Sequence, residues 1–224
     1  MPGQPDDVVA PTELPMFPLG GVLFPGDALT LRVFEPRYRQ MVAECMVGSR
    51  RFGVVLIARG SEVGGGDERH DVGTIAHIEA AAPGPDGRWA LLVRGTTRLR
   101  VRRWLTDDPY PRALVTDHPS SPGPVDFDEA RRSLRRAHRL LSELGRSALT
   151  PDEIGSAAPG GPGTASGDDA DMAAWKLCAM APVTALDRQH LLETSDRADR
   201  MAMLCELTDE MARDLERLLA SGTG

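Results

Sequence analysis

Lysine is almost missing from this sequence. Lys176 is the only one among 224 residues, against 25 arginines. A phosphate-binding loop of the form GxxxxGK[ST] needs a lysine to reach the phosphates. Lys176 stands between Trp175 and Leu177, and the glycine-rich stretch near Gly160 holds no lysine, so ATP hydrolysis by that route is excluded. Cysteine is scarce as well. Cys45, Cys178 and Cys205 are odd in number, far apart and without CxxC spacing. That excludes a zinc knuckle and a disulfide framework, and fits free thiols in a reducing compartment. Aromatics make up only 4% of the chain, so the core must be mostly Leu, Val, Ala, Met and Ile. No apolar run approaches the roughly 18 residues that span a bilayer. The first ten residues, MPGQPDDVVA, carry acid rather than base and no apolar stretch, so no secretory signal is visible. The expected location is the cytoplasm, with no membrane partner.

Positive charge is also short. The net charge is −7, of which residues 119–224 carry −6. An acidic chain lacks the counterion release that drives general polyanion binding. The histidines His70, His77, His118, His138 and His190 show no HxxxH or HExxH spacing, and no GxSxG is present. Paired aspartates occur at Asp6-Asp7, Asp107-Asp108 and Asp168-Asp169, all in loop-like surroundings. His70 falls in GDERHD, which reads as a polar loop. No metal ligand set, cofactor site or catalytic group is therefore expected.

Two hydrophobic periods divide the chain. From Glu13 to about Asp117 the pattern is strand-like. Leu29, Leu31 and Val33 alternate with polar residues, and Phe52 to Ile57 forms a continuous apolar run. Val72 to Glu79, Trp89 to Arg94, Leu99 to Trp104 and Tyr110 to Thr116 come next, with Gly95-Thr96-Thr97 read as a break. One helix interrupts the strands. It starts at Pro36, ends at Gly48 and carries Tyr38, Met41, Val42, Cys45 and Met46 on one face. Short returning strands of this kind predict a small closed or partly closed barrel. Past Pro124 the period is helical: Phe127, Ala130, Leu134, Ala137, Leu141 and Leu144 share a face. Thr150-Pro151-Asp152-Glu153 reads as a capping box. The last helix places Met201, Leu204, Cys205, Thr208, Met211, Leu215 and Leu218 together.

These periods set the expected organisation. Residues 1–12 form a disordered N-terminus, 13–118 a β-barrel subdomain with one helix, and 119–124 (PSSPGP) a linker. Residues 125–221 form a helical bundle subdomain with a mobile loop at 157–167. The fold class is α+β.

The densest signal is Leu14 to Arg39, LPMFPLGGVLFPGDALTLRVFEPRYR. Leu14, Pro15, Pro18, Leu19, Val22 to Gly26, Leu31, Val33 to Arg39 and Met41 all fit one shared run. Arg51-Phe52-Gly53-Val54-Val55, Val72-Gly73-Thr74-Ile75-Ala76 and Gly95 to Val101 continue it in matching order, and Asp187 to Glu193 matches loosely. In these residues the chain resembles the amino-terminal, substrate-binding domain of the Lon protease, over about residues 13–217. The resemblance implies a PUA-like β pseudo-barrel followed by an α-helical bundle. It implies recognition of unfolded or extended polypeptide without chemistry, in the manner of an adaptor in proteolysis or quality control, and a protease or chaperone among the partners. With the chain ending at Gly224, it implies a stand-alone counterpart of Lon's front end. A Ser–Lys dyad would have to use Lys176, and none of the family's peptidase motif surrounds it.

Candidate binding residues come from the same block. Phe24 and Pro25 form a turn with Gly26, and Phe34, Glu35, Arg37 and Tyr38 meet the start of the helix. Arg37 and Arg39 could face carbonyls, with Tyr38 as an aromatic anchor. Glu35 pairing with an arginine is the plainer structural reading, and Tyr38 has a core setting. A second candidate surface, for nucleic acid, is Arg98, Arg100 and Arg102 on one face of a strand. A solvated strand face or internal ion pairs is the plainer reading of these arginines.

Overall fold

The computed structural model describes residues 10–60, 67–123, 125–157 and 167–221. Most of the expected N-terminal tail, 1–12, and of the expected loop, 157–167, lies outside these residues. The fold is α+β. The chain divides into two compact units: Met1–Leu23 with Ala28–His118, and Phe24–Asp27 with Pro119–Gly224.

The first unit is built on β1 (Thr12–Leu19), β2 (Ala28–Val33), β3 (Arg51–Arg59), β4 (Glu68–Pro83), β5 (Trp89–Trp104) and β6 (Arg112–Asp117), with α1 (Pro36–Val47) between β2 and β3. The sheet order is β2-β5-β4-β3-β1-β6, and β6 also pairs with β5. Five strands therefore close into a barrel, and β2 hangs from the β5 edge outside the ring. Only β1 and β3 run parallel.

Strand β5 makes this possible through its length. The expected break at Gly95-Thr96-Thr97 is absent: β5 is one strand of 16 residues. Its first half pairs with β2, from Trp89↔Val33 to Arg94↔Ala28. Its second half pairs with β6, from Leu99↔Asp117 to Trp104↔Ala113. Strand β4 runs along the other side from Trp89 to Arg100. The glycine and threonines fall where the β4–β5 register shifts, between Thr74↔Arg98 and Ala76↔Gly95. The Thr96 hydroxyl donates to the Ile75 carbonyl across this bulge, at 3.0 Å. A bulge bends a strand and increases its twist, and here it lets one strand change partner without ending.

Helix α1 buries Tyr38, Met41, Val42 and Cys45, as the spacing of its apolar residues predicts. They pack in a cluster with Phe17, Leu31, Val33, Phe52, Ile78, Leu91 and Val93. A second cluster holds Leu14, Met16, Val55, Ile75, Leu99, Val101, Ala113 and Val115. His70 is not in a loop. It and Asp71 belong to β4, because side chains tie this end of the strand down. Arg69 bridges Asp67 (2.6 Å) and Asp107 (2.9 Å), its guanidinium lies over Trp104, and the Trp104 Nε1 donates to Asp71 at 3.1 Å.

The second unit contains α2 (Phe127–Glu143), α3 (Pro151–Gly155), α4 (Gly167–Ala179), α5 (Ala185–Glu193) and α6 (Arg197–Ser221). Local signals set their starts. The Asp126 side chain accepts from the Asp128 and Glu129 amides, and full capping boxes form at Thr150/Glu153 and Thr184/Asp187. Leu140 and Leu141 of α2 pack against Ala212 and Leu215 of α6. Leu218, placed on the apolar face by the sequence pattern, is 52% exposed, and Leu219 packs against the α2–α6 cluster in its place. His138 is a structural residue: its Nδ1 accepts from the Leu149 amide (3.1 Å) and its Nε2 lies 2.9 Å from the Met180 carbonyl.

Candidate functional site

Phe24 and Pro25, two of the expected binding residues, have no surface to offer. Phe24 is fully buried, and Pro25 is buried. The Phe24 ring stacks on Trp175 at 5.7 Å, with the Arg188 guanidinium 4.7 Å from its centroid. Gly26 comes next with φ +81°, and a Cβ there would collide with Met172. This turn belongs to the interior of the second unit. Burial overrides the binding role read from the exposed-looking FPG turn.

Tyr38 is also interior, 3% exposed, with its ring on Phe17 at 4.3 Å. Burial pushes its hydroxyl pKa up to about 12. Glu35 and Arg37 are half-buried and pair with each other at 3.1 Å. The Arg37 guanidinium covers the outside of the Tyr38 ring at 4.5 Å. Glu35 occupies the N-cap position of α1 without a side-chain capping bond, because its carboxylate is taken by Arg37.

Phe34 is different. It is 53% exposed, and it is the only exposed aromatic side chain among the described residues. Exposure of a large ring in so aromatic-poor a protein needs a cause, since burying it would contribute about 1.5–3 kcal/mol. Phe34 lines a groove of about 520 Å³ with Arg32, Pro83, Gly84, Arg88 and Trp89. Three elements meet there. The end of β2 supplies Arg32 and leads into Phe34. The end of β4 supplies Pro83, and the start of β5 supplies Trp89, whose register partners are Val33 and Pro83.

The turn between β4 and β5 shapes the groove wall. The Gly84 amide donates to the Arg88 carbonyl (2.7 Å) and the Gly87 amide to the Gly84 carbonyl (3.0 Å). Gly87 has φ +74°, and a Cβ there would collide with the Arg39 guanidinium. The positive φ is what asks for glycine here, since the Arg39 guanidinium is the flexible end of its side chain. Strand β2 bounds the groove on its other side. It pairs with β5 alone among the described strands, so its second edge carries backbone groups that no described strand takes. An edge of this kind is where an extended peptide adds to a sheet.

Of the expected binding residues, only Phe34 lines this groove. Arg32, Pro83, Arg88 and Trp89 were not anticipated. The signal available in sequence was the adjacency of PGPDGRW to a strand, but only pairing of β5 with β2 brings that turn to Phe34. The expected nucleic-acid face does not form. Arg98 is buried at 4% exposure, Arg100 lies 3.2 Å from the His118 ring nitrogen Nε2, and Arg102 donates to the Thr116 hydroxyl. The bulge after Val101 and the burial of Arg98 break the row of three. Lys176 is exposed in the last turn of α4. Among the described residues no group of three or more His, Cys, Asp or Glu is placed to hold a metal ion. Among them, too, no helix is long and apolar enough to cross a membrane.

The profile described as the ATP-dependent protease La (LON) substrate-binding domain matches residues 13–210. The chain belongs to this family. Lon protease 2 of Herpetosiphon aurantiacus is 31% identical over 213 residues, which cover 89% of this chain and 24% of that protein. Lon protease of Desulfosudis oleivorans is 26% identical over 93% of this chain and 25% of its own length. The chain thus spans about a quarter of the length of these Lon relatives. A crystal structure of a Lon N-terminal domain protein from Xanthomonas campestris is 30% identical, with a TM-score of 0.60 over 86% of this chain and 96% of that one. The N-terminal domain of Mycobacterium avium complex Lon protease shares the fold at 19% identity and a TM-score of 0.53.

Proposed function

We propose that this Lon substrate-binding family chain is a non-catalytic module that holds unfolded or extended polypeptide. It acts in the cytoplasm as an adaptor in proteolysis or quality control, handing segments to a protease or chaperone. The observation that carries this reading is the Phe34 groove beside the open edge of β2. An extended segment can take main-chain hydrogen bonds from that edge and set an apolar side chain against Phe34. Family membership supports the same reading, because the matched family is defined by substrate binding.

The test is a titration of a labelled, unfolded polypeptide such as reduced casein, read by fluorescence anisotropy. Binding in the micromolar range is expected, with Phe34→Ser weakening it about tenfold. Loss of one well-packed aromatic contact at the centre of an interface costs about 1–2 kcal/mol or more. Lack of any binding at high micromolar concentration would remove the proposal. Equal affinity of the Phe34→Ser protein would move the site elsewhere.

A further inference from the structure

The groove carries a charge pattern that narrows its ligand, a selectivity that rests on the polypeptide-binding role proposed for this site. Its lining includes two arginines and no acid, although the chain as a whole carries −7. Arg32 is exposed and has no ion pair among the described residues. Arg88 pairs with Asp86 at 2.8 Å, but these side chains are 69% and 53% exposed. A surface pair of this kind contributes about 0–1 kcal/mol and yields readily to a better partner. Arg39 lies against the same turn at Gly87. Its Nε is buried and has no hydrogen-bond partner among the described residues. Two guanidinium groups thus line an apolar groove, held by one exposed carboxylate, and that of Arg39 lies against the adjoining turn.

The spacing of the groove residues sets a geometry. Arg32, Val33 and Phe34 alternate exposed, buried and exposed, as an extended backbone does with period two. A strand added along the open edge of β2 has the same period. Its residue opposite Arg32 and its residue opposite Phe34 point to one face and stand two positions apart. Directly opposed residues have Cβ atoms about 4.5–5.5 Å apart, within reach of a guanidinium–carboxylate contact.

We infer that the groove selects extended segments in which an Asp or Glu side chain stands two positions from a large apolar side chain. The carboxylate meets Arg32, with Arg88 and Arg39 behind it. The apolar side chain covers Phe34. The chain direction is open, so Asp-x-Phe serves a parallel strand and Phe-x-Asp an antiparallel one.

The experiment uses labelled peptides of about ten residues and the full chain, at low and moderate salt. Peptides with the two-residue spacing are compared with Asp→Asn versions and with versions spaced by three. The expected result is a loss of affinity of tenfold or more on either change, and a fall with added salt. Arg32→Glu produces the same loss and prefers a Lys-x-Phe peptide, which shows that the variant is folded and that the contact is direct. The inference is overturned if Asp and Asn peptides bind equally, or if Arg32→Glu keeps the original preference. It is also overturned if single-stranded RNA displaces the peptide with higher affinity, or if β2 edges pair in a dimer that excludes peptide. In the first three cases binding of unfolded casein can persist, so the proposed function survives; a dimer that closes the β2 edge to peptide removes both. Absence of binding to casein and to every peptide removes both.

Discussion

Replacing Phe24 with alanine separates a stabilising role from a binding role for the FPG turn. The ring is fully buried, stacked on Trp175 at 5.7 Å and covered by Arg188 at 4.7 Å. Phe→Ala substitutions in such settings cost about 3–5 kcal/mol. Of this, about 0.5–1.5 kcal/mol belongs to the ring–ring contact and a similar amount to the cation over its face. Urea m-values of about 1–3 kcal/mol/M convert the loss to a midpoint lower by about 1–5 M. The assay is urea unfolding followed by far-UV circular dichroism, whose signal comes chiefly from α2 to α6. Phe24→Leu keeps most of the volume and loses the aromatic contacts, so about 1–1.5 kcal/mol is expected. The folded Phe24→Leu protein should bind unfolded polypeptide as the parent does. A Phe24→Ala cost under about 1 kcal/mol, or a binding defect in Phe24→Leu without loss of stability, would refute the assignment of this ring to the interior.

Other outcomes come from the buried charges and thiols. Arg200 is completely buried and shares Asp171 with Arg197, at 3.1 and 3.7 Å, while lying over Trp175. Asp171→Ala strands these cations and should cost about 3–5 kcal/mol in a thermal melt, more than Arg200→Met does. The three thiols are expected to alkylate slowly in the native protein at pH 8. Burial pushes Cys178 up to about 12 and Cys45 and Cys205 up to about 11, so little thiolate is present. Cys205, half-buried, should react first in a mass-spectrometric time course. Burial acts to raise the Asp67 pKa, but the Arg69 hydrogen bonds outweigh it and hold the carboxyl below its usual value. A depressed carboxyl stabilises the fold above its unfolded pKa near 4. That contribution is lost as pH falls through the lower folded value. Arg69→Gln should therefore be less stable than the parent at pH 7, with the gap closing under acid in urea titrations.

Local signals were the ones most plainly written in the chain. The capping box at Thr150 and the apolar face of α1 depend on residues three and four apart, so they hold whatever the rest of the molecule does. The block from Leu14 to Arg39 carried the family resemblance for the same reason: its order of residues can be read without coordinates. The burial of Phe24 could not be read this way. Its ring partners are Trp175 and Arg188, some 150 residues away. Nor could the continuity of β5, since Gly95-Thr96-Thr97 is a turn signal by composition and a bulge only when β4 lies beside it.

The groove shows the same division. Sequence alone established that Phe34 comes directly after a strand and that a glycine-rich turn precedes Trp89. Pairing of β2 with the first half of β5 placed the two together, and the closed ring of the other five strands left β2 with an open edge. Hydrogen-bonding partners in a sheet come from distant parts of the chain, so which side chains share a face there is decided by register, and register exists only in the folded molecule.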